Sequence, residues 1–588
     1  MKEKSIFDII NEFDTLKEKY SEMKIASAIR KLPKAVFQSK APEIIAESMA
    51  FEFRPEYKEE KTGWGTYYGP MMVRGNKDGT VTEYPSIRRI TNEMINYWEK
   101  RSQESNHSIL KSRYADLVWD FSKKITGKQC HYKIAHTVID NIVAIADLDL
   151  HEYENDVVTK LKRALSIAIS INDQIRIENV INVMIAYEEK KAGENKPIHI
   201  GFCYDYLVKN KKVVLSDEQQ LKIINDLESR LTKLAKRSEE GKHDPITTEE
   251  VAIRLADYYK RLNKIKEVKR VLTYFEKAYV KACDSASALL ASSWLQTVHA
   301  TYIKYGLKDE ADKIAIKLRE IGPKIKDELK PLSSAVHIKK EEMDQYVAAL
   351  VEGSLDEAIS RVAYHFIPKK NEVENQMKKL YEKHPISFFV PKQLQDHRGR
   401  PVAFIGSLED DLTGNIIFQI SQNFQISSIF LRNVLNAFIS KFNIDRDFFI
   451  QLLYRSPIFD ENKKEIISAG YQAYLDNNHL VAIHLLIPQI EDAIRNLVEI
   501  SGDSVYKLNR IGGIQLKIFD ELLREPIVVN IIGDDMSLYF RVLYTDPRGL
   551  NIRNDVCHGI SPNDFFSYTI SDRIIHSLLC LSLIRKKK

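Results

Sequence analysis

Apolar residues recur three and four positions apart through most of this chain. In the stretch 155–189, for example, Val158, Leu161, Leu165 and Ile169 follow this spacing, which places them on one face of an amphipathic α-helix. A pair of helices joined by a turn is the expected structure of this stretch. The same pattern dominates the rest of the sequence, which therefore predicts an all-α fold.

Three stretches of the middle region look related to one another. They are IKEVKRVL at 265–272, KDEADKIAIKL at 308–318 and SLDEAISRVA at 354–363. Their unequal spacing is longer than that of tetratricopeptide repeats, so they indicate no named repeat. We predict an irregular α-solenoid of helical hairpins over residues 151–387, preceded by an N-terminal helical region over residues 1–150.

Two segments interrupt the helical pattern. The first, at 63–85, has a Lys-Asp-Gly turn between short β-prone runs and predicts a small surface β-hairpin. Its aromatic residues Trp64, Tyr67 and Tyr68 could stack nucleobases, although packing onto the helices is the favoured interpretation. The second, FFVPKQLQDHRGRPVAFIG at 388–406, is rich in turn-forming residues. We place a turn-rich domain boundary at 388–410.

Residues 411–588 are predicted to form a compact helical bundle with short connections. The two glycines of NRIGGIQ at 509–515 fit a loop before a helix, since no Lys-Ser/Thr pair follows at the spacing of a phosphate-binding loop. The expected helices of the bundle span 426–442, 463–475, 479–501, 515–523, 535–544 and 565–585.

The charge and cysteine content exclude several classes of protein. With 87 Lys+Arg against 82 Asp+Glu, the net charge is only +5, too balanced for a polybasic nucleic-acid coat. Any binding of nucleic acid must therefore depend on local positively charged patches such as the tail at 585–588. The five cysteines are scattered and form no CxxC pair, which argues against a disulfide framework or zinc knuckle and favours a reducing compartment.

No segment has the sequence of a membrane span. Asp8, Glu12 and Asp14 interrupt the apolar residues near the start, so we expect no signal peptide. The apolar stretch Ile574–Ile584 is too short to cross a bilayer. The sequence predicts a cytoplasmic protein without a membrane partner.

The segment RGLNIRNDVCHG at 548–559 is the most informative for chemistry. Asn551 as a helix N-cap and Gly559 as the residue after the end predict one or two helical turns before the last long helix. Within these turns Asn554 and His558 are four residues apart and share a face.

The long side chain of Arg553 can reach the face shared by Asn554 and His558. The segment then brings together a guanidinium cation from Arg553, a neutral amide from Asn554 and a titratable imidazole from His558. Such a trio suits RNA cleavage, because RNA carries its own nucleophile, the 2′-hydroxyl. His558 would act as general base or acid, Arg553 would stabilise the charged phosphorane, and Asn554 would hold the phosphate. The reaction needs no metal or other cofactor. Because one histidine cannot easily serve as base and acid together, a homodimer through the C-terminal bundle is expected.

The run LNIRNDVCHG at 550–559 resembles the R-polar-x3-H signature of the HEPN superfamily, many of whose members are metal-independent endoribonucleases of defence and toxin systems. The predicted helix at 479–502 is similar to the long first helix of the HEPN-like domain that ends a group of large bacterial proteins. The run SRYADLVWD at 112–120 resembles a segment in the helical region of the same group.

The resemblance implies that Arg553 and His558 are catalytic and that Asn554 is their polar helper. It also matches Glu491 and Arg495 to acidic and basic positions on the long helix. These two residues are four apart, so they either form an intrahelical pair or orient the catalytic arginine. Cys557 stands where a small residue is usual, and no activating neighbour suggests a nucleophile.

The implied function is a metal-independent endoribonuclease of a bacterial anti-phage defence or growth-arrest system. Its substrate would be RNA, and its solenoid would respond to a protein trigger or inhibitor. The alternative is a non-catalytic scaffold, in which the solenoid binds a partner protein and the HEPN-like bundle only dimerises or binds RNA.

Three other pairs of residues could carry chemistry. His131 and His136 lie beside a cysteine, but no partner ligands complete a zinc site, so a packing role is expected. Asp116 and Asp120 share a helix face and are expected to form salt bridges. His479 and His484 open the helix at 479–502, where they could approach the RNA site, although capping and packing are favoured.

Overall fold

The computed structural model describes residues 4–33, 36–37, 41–56, 64–76, 80–193, 199–242, 244–330, 337–383 and 386–586. Helices dominate these residues, and the strands within them form three small antiparallel hairpins. The predicted all-α fold is therefore confirmed. The chain divides into two compact units: unit 1 is Met1–Ala286 with Trp294–Asp312, and unit 2 is Ser287–Ser293 with Lys313–Lys588.

Unit 1 consists of successive helices, many of which pack against their neighbours in the chain, such as α5 (Ser108–Thr126) on α6 (Tyr132–Asp147) and α10 (Pro245–Arg261) on α11 (Ile265–Cys283). A solenoid arrangement of these hairpins stays a prediction. The remaining elements up to residue 328 are α1 (Ile6–Thr15), α2 (Glu22–Arg30), α3 (Pro42–Ala50), β1 (Met72–Gly75), β2 (Val81–Tyr84), α4 (Asn92–Glu104), α7 (Glu154–Ser170), α8 (Gln174–Lys191), α9 (Asp217–Glu239), α12 (Ala288–Tyr305) and α13 (Lys308–Glu328), with a π-helix at Tyr204–Val208. Helices α12 and α13 each include residues of both units.

The first interruption of the helical pattern is a hairpin, as predicted. Strands β1 and β2 pair antiparallel and are largely exposed, while the Lys-Asp-Gly turn lies outside the described residues. The preceding Trp64 is fully buried and packs against Phe53 and Phe121 in an aromatic cluster. Tyr68 is also buried. Packing onto the helices is thus confirmed as the role of these two aromatic side chains.

Asp116 and Asp120 on α5 are held by one arginine of α7. The Nη2 atom of Arg163 lies 2.8 Å from Asp116 and 3.3 Å from Asp120, and the three side chains are at most 12% exposed. Asp120 also accepts hydrogen bonds from the backbone N–H groups of Tyr67 and Tyr68 at 3.0 and 2.8 Å. The expected salt bridges are confirmed, and they fix the segment before β1 onto the helices.

Unit 2 contains the segment that the sequence suggests as a boundary, 388–410, which includes an antiparallel β-hairpin. The apolar core of unit 2 is shared by two long helices, Leu412–Phe442 and His479–Ile500, and by the last helix, Tyr568–Leu581. Its elements are α14 (Lys340–Val351), α15 (Leu355–His365), α16 (Lys370–Lys383), α17 (Ile386–Phe389), β3 (Lys392–Gln395), β4 (Pro401–Ile405), α18 (Leu412–Phe442), α19 (Arg446–Leu453), α20 (Lys464–Leu475), α21 (His479–Ile500), β5 (Tyr506–Leu508), β6 (Ile514–Leu516), α22 (Phe519–Arg524), α23 (Pro526–Ile532), α24 (Asp534–Tyr544), α25 (Ile552–Cys557) and α26 (Tyr568–Leu581).

One helix predicted for the bundle is wrong. The helix expected at 515–523 begins only at Phe519, and the glycine loop before it is the turn of a hairpin in which β5 pairs with β6. Tyr506, Leu508, Ile514 and Leu516 alternate with polar residues, which is the period of a strand. Runs of three residues are too short for that period to stand out against the surrounding helices.

Helix α26 runs through the core of unit 2, and each of its residues from 570 to 581 is buried. His576, the histidine of α26, has hydrogen-bond partners at both of its ring nitrogens. The Nε2–H group of His576 faces the carbonyl oxygens of Val362 and Ala363 at 3.3 and 3.2 Å, so Nδ1 accepts from the hydroxyl of Tyr539 at 2.8 Å. Because the ring is fully buried, it is neutral in the folded protein, and a neutral ring with its proton on Nε2 has Nδ1 as an acceptor.

Acid should destabilise unit 2 through this histidine. Burial, aided by the charge of Arg573, lowers the pKa of His576 from its ordinary 6.5 to about 3. The unfolded chain binds a proton here at pH values where the folded protein does not, so the contribution to stability is complete above pH 6.5 and is lost as the pH falls. We expect this group to reduce the free energy of unfolding by about 3 kcal/mol between pH 7 and pH 4.

The measurement is urea unfolding of unit 2 at a series of pH values, with His576→Gln as the comparison. Glutamine keeps an amide donor but does not titrate, so the variant should be less stable at pH 7 and less sensitive to acid. If the free energy of unfolding falls equally in wild type and variant between pH 7 and pH 4, His576 is not the source of the sensitivity to acid.

Candidate active site

The segment that carries Arg553, Asn554 and His558 is held closely against helix α24. The N–H of Leu550 donates to the carbonyl oxygen of Val542 at 2.8 Å. A Cβ atom on Gly549 would lie 2.2 Å from that same oxygen, so the approach requires glycine. Ile552 and Val556 are buried, so one face of the short helix α25 packs in the apolar core.

Both ends of α25 have left-handed backbone. Gly559 follows the helix with φ 64°, as the sequence predicts. Asn551 stands at the N-cap position, but its φ is 49° and its side chain caps no backbone amide. The predicted capping bond is wrong, because N-cap residues need extended backbone. Instead, the side chain of Asn551 accepts from Asn554 at 2.8 Å and donates to Asp555 at 3.0 Å.

Four of the five predicted site residues form one connected cluster. The Nε atom of Arg553 donates to Glu491 Oε2 at 2.9 Å, and Arg495 Nη2 donates to Glu491 Oε1 at 2.8 Å. Glu491 is therefore both an intrahelical partner and the residue that orients Arg553, which unites the two roles considered from the sequence. Asn554 Oδ1 accepts from Arg553 Nη1 at 3.3 Å.

The cluster leaves part of Arg553 available for a ligand. Its side chain is 25% exposed, and its Nη2 atom makes no hydrogen bond with any described residue. Glu491 and Asp492 balance the charges of Arg553 and Arg495, since Asp492 lies 3.8 Å from Arg495. The arginine is thus pre-oriented and can receive an anion such as a phosphate.

His558 lies at the end of α25, one helical turn after Asn554. Its backbone N–H donates to the carbonyl oxygen of Asn554 at 3.0 Å, while its imidazole is exposed and hydrogen-bonds to none of the residues that the structure describes. The neighbouring Cys557 is a poor nucleophile, because desolvation raises the pKa of its thiol and the charge of Arg553 only partly opposes this. The exposed imidazole is the accessible base of the segment.

Sequence reasoning missed the opposite face of α25. There Asp555 lies within electrostatic reach of Asp396, His397 and Arg400 of the β3–β4 hairpin, and burial raises the pKa of its carboxyl group. A cavity of about 840 Å³ next to this face is lined by Arg400, Arg548 and Asn551 among other residues. No local pattern links these residues, since the hairpin lies about 150 positions earlier in the sequence.

The four histidines singled out in the sequence make capping, hydrogen-bonding and packing contacts. His131 accepts from a backbone N–H at the start of α6, and His136 lies 3.0 Å from Asp173. His479 hydrogen-bonds to Ser571 of α26, and the ring of His484 stacks on Phe566. In the part of the chain that the structure describes, no group of three or more His, Cys, Asp and Glu residues is placed to hold a metal ion.

Searches against models of protein families, curated proteins and solved structures find no match to this chain. Among the described helices, none has both the length and the apolar character that crossing a membrane requires. We therefore base the functional assignment on the contacts of the residues around α25.

Proposed function

We propose that unit 2 is a HEPN-type, metal-independent endoribonuclease domain. The observation that carries this proposal is the arrangement of Arg553, which is oriented by Glu491 and Asn554 and keeps one guanidinium nitrogen free, on the same short helix that ends next to the exposed His558. Support also comes from the resemblance of residues 550–559 to the superfamily signature. The substrate is RNA, because the site offers a base and a cation and the 2′-hydroxyl supplies the nucleophile.

In the proposed reaction the 2′-oxygen attacks phosphorus while His558 takes its proton. Arg553 stabilises the negative charge that develops on the phosphorane oxygens. Asn554, which the sequence suggests as the group that holds the phosphate, uses both ends of its amide in hydrogen bonds within the protein and keeps the guanidinium in position. The bond from phosphorus to the 5′-oxygen then breaks. The products are a 2′,3′-cyclic phosphate and a 5′-hydroxyl end.

The leaving 5′-oxygen needs a proton from a second acid. We propose that a second copy of His558, across a two-fold dimer of unit 2, supplies it. The assembly is a cytoplasmic effector of bacterial anti-phage defence or growth arrest. Its remaining helices respond to a protein trigger or inhibitor. These last roles follow from the family resemblance and from the many partners that helical arrays bind.

Substitution of Arg553 tests the proposal directly. Purified wild type is incubated with total RNA in EDTA, with a phage lysate added in a parallel sample, and the ends of the fragments are identified. We expect cyclic phosphate ends from wild type and a rate lowered roughly a hundred- to a thousandfold in Arg553→Ala, because the phosphorane loses its charge partner. Arg553→Lys should recover only part of the rate, since lysine lacks the fork that contacts Glu491 and Asn554.

Arg524→Ala is the matched control, because Arg524 is half exposed and, like Arg553, pairs with a carboxylate, here that of Asp520. It should cleave like wild type. Cleavage by neither wild type nor control, even with the lysate, would favour the non-catalytic scaffold. Equal cleavage by wild type and Arg553→Ala would place the activity elsewhere.

A further inference from the structure

Unit 1 contains a cavity of about 460 Å³ whose wall is built from several parts of the chain. The segments 51–56 and 67–71 supply its aromatic side chains, and helices α5 and α7 supply most of its buried charged ones. Ser112, Arg113 and Asp116 of the run SRYADLVWD lie in this wall, so the cavity includes a motif that the RNA-cleavage proposal does not use. Its volume falls within the roughly 300–1,000 Å³ of sites for small molecules.

Arg113 is a buried cation in the wall of this cavity, and it is only 4% exposed. Its Nε and Nη2 atoms donate to the backbone carbonyl oxygens of Ala50 and Phe53 at 2.6 and 2.9 Å. With the residues that the structure describes, it forms no ion pair, and its Nη1 atom makes no hydrogen bond. A buried charge without an opposite charge is costly. An anion in the cavity would satisfy both the charge and the free nitrogen.

Two carboxylates lie near Arg113, but other cations hold them. Glu22 pairs with Lys160, and Asp116, one turn further along α5, accepts from both Nε and Nη2 of Arg163 at 3.0 and 2.8 Å. Arg163 lines the cavity as well, and its Nη1 atom hydrogen-bonds to no described residue. Two arginines therefore offer free N–H groups to one cavity.

Two tyrosine rings hold these guanidinium groups in place. The guanidinium carbon of Arg113 lies 4.4 Å from the centre of the Tyr68 ring, and that of Arg163 lies 4.0 Å from the centre of the Tyr67 ring. Stacking of this kind fixes the plane of a guanidinium and leaves the nitrogens at its edge free to bind. Burial raises the pKa of Tyr67, so its hydroxyl keeps its proton at neutral pH and is a further donor in the lining.

We propose that this cavity binds a small organic anion through a carboxylate or phosphate group. The anionic group contacts the free nitrogens of Arg113 and Arg163, which suit a planar or tetrahedral oxyanion. The apolar part of the molecule packs on the phenylalanine rings of the segment 51–56. Glu56 and Asp156 also line the cavity, but both are exposed, so solvent and salt screen their charges. The inference concerns unit 1 alone and holds whether or not unit 2 cleaves RNA.

The test is calorimetric titration of the full-length protein with benzoate, phenyl phosphate and the uncharged analogue benzamide. We expect one anion to bind per chain, at least about tenfold more tightly than benzamide, because only the anions satisfy the buried guanidinium. The tighter probe identifies the head group as carboxylate or phosphate. Arg113→Gln should weaken anion binding by at least about tenfold, since a neutral amide replaces the cation.

Arg176→Gln is the matched control for Arg113→Gln. It also removes one arginine from unit 1, but this arginine pairs with Asp140 and Asp173 and does not line the cavity. The variant should bind the anions like wild type. A loss of binding equal to that of Arg113→Gln would overturn the proposal, because binding would then follow the net charge of the protein.

Thr159→Phe is a second variant, and it leaves Arg113 in place. Thr159 of α7 is half-buried in the lining, so a phenylalanine ring should occupy the space and block both anions. Circular dichroism checks that each variant is folded, and if Arg113→Gln is not, Thr159→Phe decides alone. Failure of both anions to bind wild type, equal binding of benzamide, or unchanged anion binding by either folded variant would overturn the proposal.

Discussion

Replacing His558 with alanine is expected to lower the rate of RNA cleavage by about a thousandfold, within the range for loss of a general acid or base. The same change should alter the free energy of unfolding by less than about 0.5 kcal/mol, because the imidazole is exposed and its removal leaves no buried partner unpaired. The rate is measured from the appearance of cyclic phosphate ends in EDTA, and stability by urea unfolding. Only a chemical role of His558 predicts a large effect on the cleavage rate and a small effect on the free energy of unfolding.

The adjacent Cys557 provides the matched control for His558. It is also exposed at the end of α25, and Cys557→Ala should cleave RNA at the wild-type rate. In cells, overproduced wild type and Cys557→Ala should both arrest growth, and His558→Ala should not. If His558→Ala cleaves like wild type, His558 is not the base, and the scaffold alternative becomes the better account of unit 2.

Replacing Arg163 with alanine is expected to destabilise unit 1 by about 3–5 kcal/mol, the usual cost of removing one partner from a buried ion pair. Asp116 and Asp120 are 3% and 9% exposed and both face this guanidinium. Without it, two carboxylates remain buried close together. The measurement is urea unfolding of the full chain at neutral pH, followed by hydrogen exchange in α5 and α7.

The pH dependence of this variant has a definite sign. Burial already raises the pKa of Asp120, and the charge of Arg163 opposes that rise. Without the arginine the pKa rises further, so the folded variant binds protons more readily than the unfolded chain and recovers stability as the pH falls. Lys222→Ala is the control, because Lys222 and Glu189 form a pair more than half exposed, and its loss should cost at most about 1 kcal/mol. If Arg163→Ala and Lys222→Ala lower the free energy of unfolding by similar amounts, the prediction is wrong.

The sequence predicts those parts of the structure that local spacing determines. Most of the helices expected at 426–585 and the Glu491–Arg495 pair follow from residues three and four apart, and the helix expected at 515–523 is the exception. The contact of Arg163 with Asp116 joins residues 47 positions apart, and the contact of Glu491 with Arg553 joins residues 62 apart. Such contacts depend on which helices become neighbours, and helical periodicity carries no information about that choice.

The sequence could identify those residues of the candidate site that lie within one short segment. Arg553, Asn554 and His558 are contiguous enough for a motif to include them, and the role of Glu491 came from a resemblance. The face of α25 with Asp555 and Arg400 was missed, because the hairpin that supplies Arg400 is remote in sequence. The β5–β6 hairpin was missed because each of its strands has only three residues.

The close contact of Gly549 and Leu550 with Val542 also determines which changes of loop length this protein can accept. Surface connections usually tolerate insertions, but here the backbone of the loop is bonded to α24 only two residues before α25 begins. One extra residue between Leu550 and Ile552 would turn α25 by about 100°. Arg553 would move to the position of Asn554 and Asp555 to the buried position of Val556, so Glu491 would lose its partner. Natural variants of this connection should therefore differ in residue type and keep the same number of residues.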